Sequence, residues 1–212
     1  MSRPPEPRRY DGADERPRLF FAIPLSAAAR DAVANVAEGV RAAVDDVRAR
    51  WVRFEGLHLT LQFLGPTPET AVPALREALT AAAAARPPFE VGLSGAGAFP
   101  SPARPRTLWI GVTAGADTLA ELAAAVAADQ RVAPFVPARP GDPGGAGRRY
   151  APHLTIARTD GVSGAPRLAV ALQAAAAELD VRFAADRIVL YRSVLGRRPA
   201  RYESLAEARL GG

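Results

Sequence analysis

No cysteine occurs among the 212 residues. A disulfide frame, a thiolate metal site and a cysteine nucleophile are therefore all excluded. Lysine is absent too, so all 27 basic residues are arginine. Histidine occurs only twice. Aromatic residues make up 7% of the chain and apolar residues 49%, much of that alanine. The core is therefore expected to be alanine-rich helices packed on Val/Leu/Ile strands. No run of about 18 consecutive apolar residues exists, so no segment reads as a membrane span and no membrane partner is expected. Residues 1–17 lack an apolar stretch and are rich in proline and charge. They read as a disordered tail rather than a signal peptide, which leaves residues 18–212 as a single domain of a cytoplasmic, monomeric protein.

The formal net charge is +5, but it is unevenly spread. Residues 131–158 carry five Arg against one Asp, and residues 181–212 carry seven Arg against three acids. Arginine pairs bidentately with phosphate, so these segments fit a surface facing a polyanion. A plain compositional preference for Arg over Lys explains the same counts.

Along the chain, "RLFFAIPL" (residues 18–25) reads as a strand. Ser26 then caps a long helix over "AAARDAVANVAEGVRAAVDDVRAR". A second helix is expected over residues 67–86, with Thr67 as cap and Pro68 at its first position. Strands are expected at "FEVGLSGAGAF" and "TLWIGV", and a helix from about Asp117 to Gln130. The Gly/Pro/Arg-rich residues 137–149 form a loop with the composition of a flap. A helix near 167–179 and strands near 181–195 and 201–206 complete the chain.

Both histidines fall in one recurring frame. His58 lies in "LHLTLQFLG" and His153 in "PHLTIAR", 95 residues apart. Side chains alternate faces along a strand. His58, Thr60 and Gln62 therefore share a face opposite Leu57, Leu59, Leu61 and Phe63, and His153 and Thr155 share one opposite Leu154 and Ile156. A lone histidine beside a core strand is usually structural. Two copies of the same His-x-Thr pair, in a chain with no other histidine, are not. Together they suggest an α+β protein of two similar lobes, each giving one histidine strand to a shared cleft.

In-line displacement at phosphorus needs these groups. A neutral imidazole takes the proton of the attacking oxygen, and a protonated one gives a proton to the leaving oxygen. Threonine hydroxyls donate to the non-bridging oxygens, where charge grows in the transition state. Two histidines without cysteine fall short of the three protein ligands of a catalytic zinc site, so neither metal nor cofactor is expected.

These motifs resemble the paired HxTx motifs of the two-histidine phosphoesterase superfamily. More closely, the chain is similar to the RNA 2′,3′-cyclic phosphodiesterase (2′-5′ RNA ligase) family. The likeness runs from about Arg18 to Ala206 through "WVRFEGLHLTLQFLG", "GAFPSPARPRTLWIGV", "YAPHLTIAR" and "IVLYRSVLG" with a following Tyr. It departs from the family pattern at Gly56, where an Asn often precedes the first motif. The resemblance implies a bilobal fold with pseudo-symmetric lobes, each with an antiparallel sheet and helices. It implies opening of RNA 2′,3′-cyclic phosphate ends to 2′-phosphates, with reversible ATP-independent 2′-5′ joining. Small cyclic nucleotides or 2′-5′ oligonucleotides remain alternative substrates. On this likeness His58 is the proton donor, His153 the acceptor, and Thr60, Thr155 and Arg158 phosphate contacts. Phe63 and Tyr150 are candidates for base stacking. Strict alternation, however, puts Arg158 opposite His153. It reaches the cleft only if the strand ends, twists or bulges at about Ala157.

Overall fold

A computed structural model describes residues 16–137, 150–194 and 200–212. Most of the expected tail and the 137–149 loop lie outside the described residues. Pro17, at the tail's end, is described, and its carbonyl accepts the Thr67 N–H at 2.9 Å.

Two antiparallel sheets carry the fold. The first is ordered β3-β1-β8-β9, from His58–Pro66 (β3), Arg18–Pro24 (β1), Arg187–Val194 (β8) and Arg201–Arg209 (β9). The second is ordered β2-β6-β5-β4-β7, from Arg50–Trp51 (β2), His153–Arg158 (β6), Thr107–Ala114 (β5), Phe89–Phe99 (β4) and Val181–Ala185 (β7). Helices Val72–Ala84 (α2) and Ala116–Ala128 (α3) pack on the first sheet. Helices Ala27–Ala43 (α1) and Ala165–Ala175 (α4) pack together and on the second. This is the expected α+β bilobal architecture, but the lobes are not consecutive halves of the chain. Helix α1 follows a strand of the first sheet and packs on the second, and α3 does the reverse. One buried cluster runs from Leu19 to Leu210 and draws residues from both sheets and all four helices.

Ser26 caps α1 as expected, its Oγ accepting the Ala29 N–H at 3.2 Å. The helix ends at Ala43, short of the expected 50, because the chain must turn back for Arg50 and Trp51 to pair with β6. Thr67 is not a cap. It is fully buried, and its hydroxyl donates to the Gly65 carbonyl at 3.2 Å, while α2 begins only at Val72. The apolar run 181–195 is two strands, not one. The chain leaves the second sheet after Ala185 and enters the first at Arg187. Asp186 marks the switch, its carboxylate pairing with Arg187 and its carbonyl accepting the Leu210 N–H.

Candidate active site

The two histidine strands face one another across the lobes. Strand β3 is the free edge of the first sheet and packs against β6 of the second. Leu57, Leu59 and Leu61 are buried on the core side of β3, and Leu154 and Ile156 on that of β6. His58 and Thr60, like His153 and Thr155, point the other way. His58, Thr60, Phe63, Thr155 and Arg158 line one cleft with Val52, Gly56, Leu57 and Tyr202. His153 is two residues before Thr155 on the same face of β6, against Gly111 of β5.

Each imidazole is fixed by the same device. Nδ1 of His58 donates to the Gly56 carbonyl at 2.7 Å, and Nδ1 of His153 to the Ala151 carbonyl at 2.8 Å. A carbonyl can only accept, so Nδ1 carries a proton in both rings. Nε2 is thereby the atom left to gain or lose a proton. Each ring also meets an aromatic neighbour edge to face at 5.0 Å, Tyr202 for His58 and Phe99 for His153.

The surroundings differ. His58 lies 4.8 Å from the ring of Phe20 and 5.8 Å from that of Tyr191. Burial among these rings holds its pKa below the usual histidine value, with the Gly56 hydrogen bond pulling the other way. Burial also pushes the Tyr202 phenol up, against the opposing effect of Arg158.

Arg158 reaches the cleft through a β-bulge. Leu108 pairs with Ala157 but Trp109 pairs with Thr155, which leaves Ile156 as the extra residue. Ile156 and Ala157 are both fully buried, and the shift returns Arg158 to the face of Thr155. Its guanidinium donates to the Thr107 hydroxyl at 3.3 Å. Just beyond, Thr159 is buried with its hydroxyl donating to the Pro105 carbonyl, which anchors the end of the strand.

The two stacking candidates part company. Phe63 is 53% exposed at the cleft and not on the core face that strict alternation expected, because β1 pairs Phe21 with Gln62 and Ala22 with Thr60 and so skips Leu61. Tyr150 is half-buried, and its hydroxyl donates to the Thr60 carbonyl at 2.7 Å. That bond ties the segment before β6 to the free edge of β3, and burial raises the phenol's pKa. Among the described residues, no three His, Asp or Glu side chains form a group suited to a metal ion.

Tyr202, the Tyr that follows "IVLYRSVLG", carries no role in the expectations from sequence. It is the second residue of β9, and the pairing of β9 with β8 brings it beside His58. Gly56 makes room for it: a Cβ there would stand 3.3 Å from Tyr202 Cδ2.

His153 is not among the residues lining the cleft, but each sheet offers one imidazole anchored through Nδ1 with a threonine two residues on, and that pairing defines the two-histidine class. Residues 24–197 match the family model described as the 2′-5′ RNA ligase superfamily, and the chain belongs to that family. It is 34% identical over 192 residues to an RNA 2′,3′-cyclic phosphodiesterase of Geobacillus stearothermophilus, covering 91% of this chain and 57% of that protein. It is 34% identical over 125 residues to the protein of the same name from Aquifex aeolicus, covering 58% of this chain and 63% of that one. The aligned part thus spans about three fifths of these relatives' own length. Among solved structures, E. coli LigT complexed with 3′-AMP superposes with a TM-score of 0.66 at 25% identity, covering 92% of this chain and 99% of that chain. Among the described residues no helix is long and apolar enough to cross a membrane.

Proposed function

We propose that the chain opens 2′,3′-cyclic phosphate ends of RNA to 2′-phosphates, using its two histidines without a metal ion. It acts as a cytoplasmic monomer. The observation that carries this reading is the duplicated frame, in which each imidazole has Nδ1 held by the carbonyl two residues before it and a threonine hydroxyl beside it. The names of the Geobacillus and Aquifex relatives support the substrate, and the 3′-AMP complex of LigT supports a nucleotide in the cleft.

Water attacks the phosphorus and passes its proton to Nε2 of His153. The bond from phosphorus to O3′ breaks, and His58 gives O3′ its proton, which leaves the phosphate on O2′. Each proton transfer contributes roughly 10²–10⁴-fold. Thr60, Thr155 and Arg158 hold the non-bridging oxygens, where hydrogen bonds to a charged partner are strongest. Phe63 stacks on the base. Tyr150 acts at one remove, fixing the edge strand that carries Thr60.

The lowered pKa of His58 has a consequence for an acid. In the free protein burial favours its neutral form, whereas a donor must hold a proton. A phosphate anion beside the ring favours the imidazolium and raises that pKa. The donor is therefore loaded by substrate binding.

The deciding experiment is product analysis on an RNA fragment ending in 2′,3′-cyclic phosphate, beside a cyclic mononucleotide. The expected product is a 2′-phosphate, with kcat/KM higher for the RNA. Equal or better opening of the mononucleotide would make a small nucleotide the substrate. No opening of either would end the phosphodiesterase reading.

A further inference from the structure

Beside Arg158 the second lobe carries another arginine on the same face. Arg50 and Trp51 make up the whole of β2, the edge strand that pairs Arg50 with Arg158 and Trp51 with Ala157. Residues directly opposite one another share a face, with Cα atoms about 4.5–5.5 Å apart. Arg158 lines the cleft, and Val52, two residues on from Arg50, lines it as well, while Trp51 packs against the core. Arg50 is not itself a lining residue. It stands one strand out from Arg158, at the rim.

Like charges directly opposite one another destabilise a sheet. Here one carboxylate answers two guanidinium groups, all three exposed. Asp160 pairs with Arg50, whereas among the described residues Arg158 donates only to the neutral Thr107 hydroxyl. A turn sets the place of Asp160. The Thr159 carbonyl accepts the Val162 N–H at 3.1 Å, and Asp160 (φ 52°) and Gly161 (φ 73°) both take the left-handed conformation that an Asp-Gly type I′ turn requires. Buried Thr159 anchors that turn through the Pro105 carbonyl. An exposed ion pair contributes little to stability, so stability does not account for two crowded arginines. A local rule broken without a gain in stability marks a functional position.

In the proposed function, on which this inference rests, Arg158 holds the phosphate being opened. The terminal nucleotide of an RNA carries a second phosphate, the diester on its own O5′. A cyclic mononucleotide with a free 5′-hydroxyl has none. We infer that Arg50 takes this second phosphate in exchange for the Asp160 carboxylate, and so makes the site selective for an RNA end over a free cyclic nucleotide. Two guanidinium forks side by side match two successive phosphates of one strand, each offering paired N–H donors to phosphate oxygens. With both phosphates bound, each arginine faces an anion and the repulsion between β2 and β6 is relieved. The contact is with the backbone alone, so it is indifferent to the base.

The test compares three substrates with the full chain: a 2′,3′-cyclic mononucleotide with a 5′-hydroxyl, the same compound with a 5′-phosphate, and a dinucleotide ending in the cyclic phosphate. kcat/KM should be higher for the second and third than for the first. Arg50→Gln should lower it roughly 5- to 50-fold for the two that carry the extra phosphate, chiefly through KM, and by less than about twofold for the 5′-hydroxyl compound. Asp160→Asn, which the turn accepts, frees Arg50 and should lower KM for the same two substrates. Equal kcat/KM for the two mononucleotides would overturn the inference, as would an equal loss on all three substrates in Arg50→Gln. Failure of the wild type to open any of the three would instead strike the proposed function itself. If Arg50→Gln does not fold, Asp160→Asn decides, and an unchanged or raised KM for the phosphate-bearing substrates would overturn the role of Arg50.

Discussion

In the first lobe the imidazole of His58 packs against the rings of Phe20, Tyr191 and Tyr202, while in the second that of His153, half-buried like it, packs against Phe99. The hydrogen bond that fixes the ring is the same in both, to the carbonyl two residues before. The repeated frame thus fixes which nitrogen carries the proton. What differs is the wall around the frame, and the wall sets how readily water and charge reach the ring. Two copies of one local structure can therefore place their imidazoles in different surroundings on the two sides of one molecule.

The most direct way to break this comparison is to remove each ring in turn. His58→Ala and His153→Ala should each cost about 10²-fold or more in kcat/KM, with circular dichroism unchanged. The two losses should differ in pH profile. Losing the donor removes the fall in activity at high pH, and losing the acceptor removes the fall at low pH. Near wild-type turnover in either variant would refute a two-histidine mechanism. In the wild type, the high-pH fall should lie at higher pH in kcat than in kcat/KM, because the bound phosphate raises the His58 pKa.

A smaller effect is expected at the bulge. Arg158→Leu should lower kcat/KM by about 10- to 100-fold, the worth of hydrogen bonds to a charged partner, measured by steady-state kinetics. Tyr150→Phe deletes the donor to the Thr60 carbonyl. It should lower unfolding stability by about 1 kcal/mol in a denaturant titration, together with a drop in kcat. Loss of stability alone would make Tyr150 a packing residue with no hold on the site.

The smallest effect compares the two walls. Tyr202→Ala admits water to His58, so its pKa should rise toward the ordinary value of about 6.5, as followed by NMR titration of the ring. Phe99→Ala, in the other wall, should leave the His58 pKa unchanged. Stability should follow the same sign. Folding holds the His58 pKa below its unfolded value, so the full contribution is present above about pH 6.5 and is lost as pH falls through the folded value. His58→Phe should flatten that slope.

The parts of the site that depend on strand alternation were legible in the sequence. His58, Thr60, His153 and Thr155 needed only the two-residue period and their leucine partners to be placed on facing surfaces. Arg158 was not so legible, because a bulge is settled by which residue the neighbouring strand leaves unpaired, and β5 alone decides that Ile156 is skipped. The same limit hid the split at Asp186, since β7 and β8 read alike and differ only in their partners. Thr67 looked like a cap because the local pattern was right, but its N–H is taken by the distant Pro17 carbonyl and its hydroxyl turns back to the Gly65 carbonyl. Tyr202 was reachable only once β9 was known to lie beside β8, on the face shared with His58.

The repeated crossing of the chain between the two sheets also limits how this protein can be divided. A cut between His58 and His153 gives one fragment with β1 but not β8, and another with β8 but not β1. Each fragment would carry unpaired edges of both sheets and part of the single core. The His58 strand and the His153 strand are thus separate in sequence yet inseparable as pieces, and any opening that melts one strand set should disturb both at once.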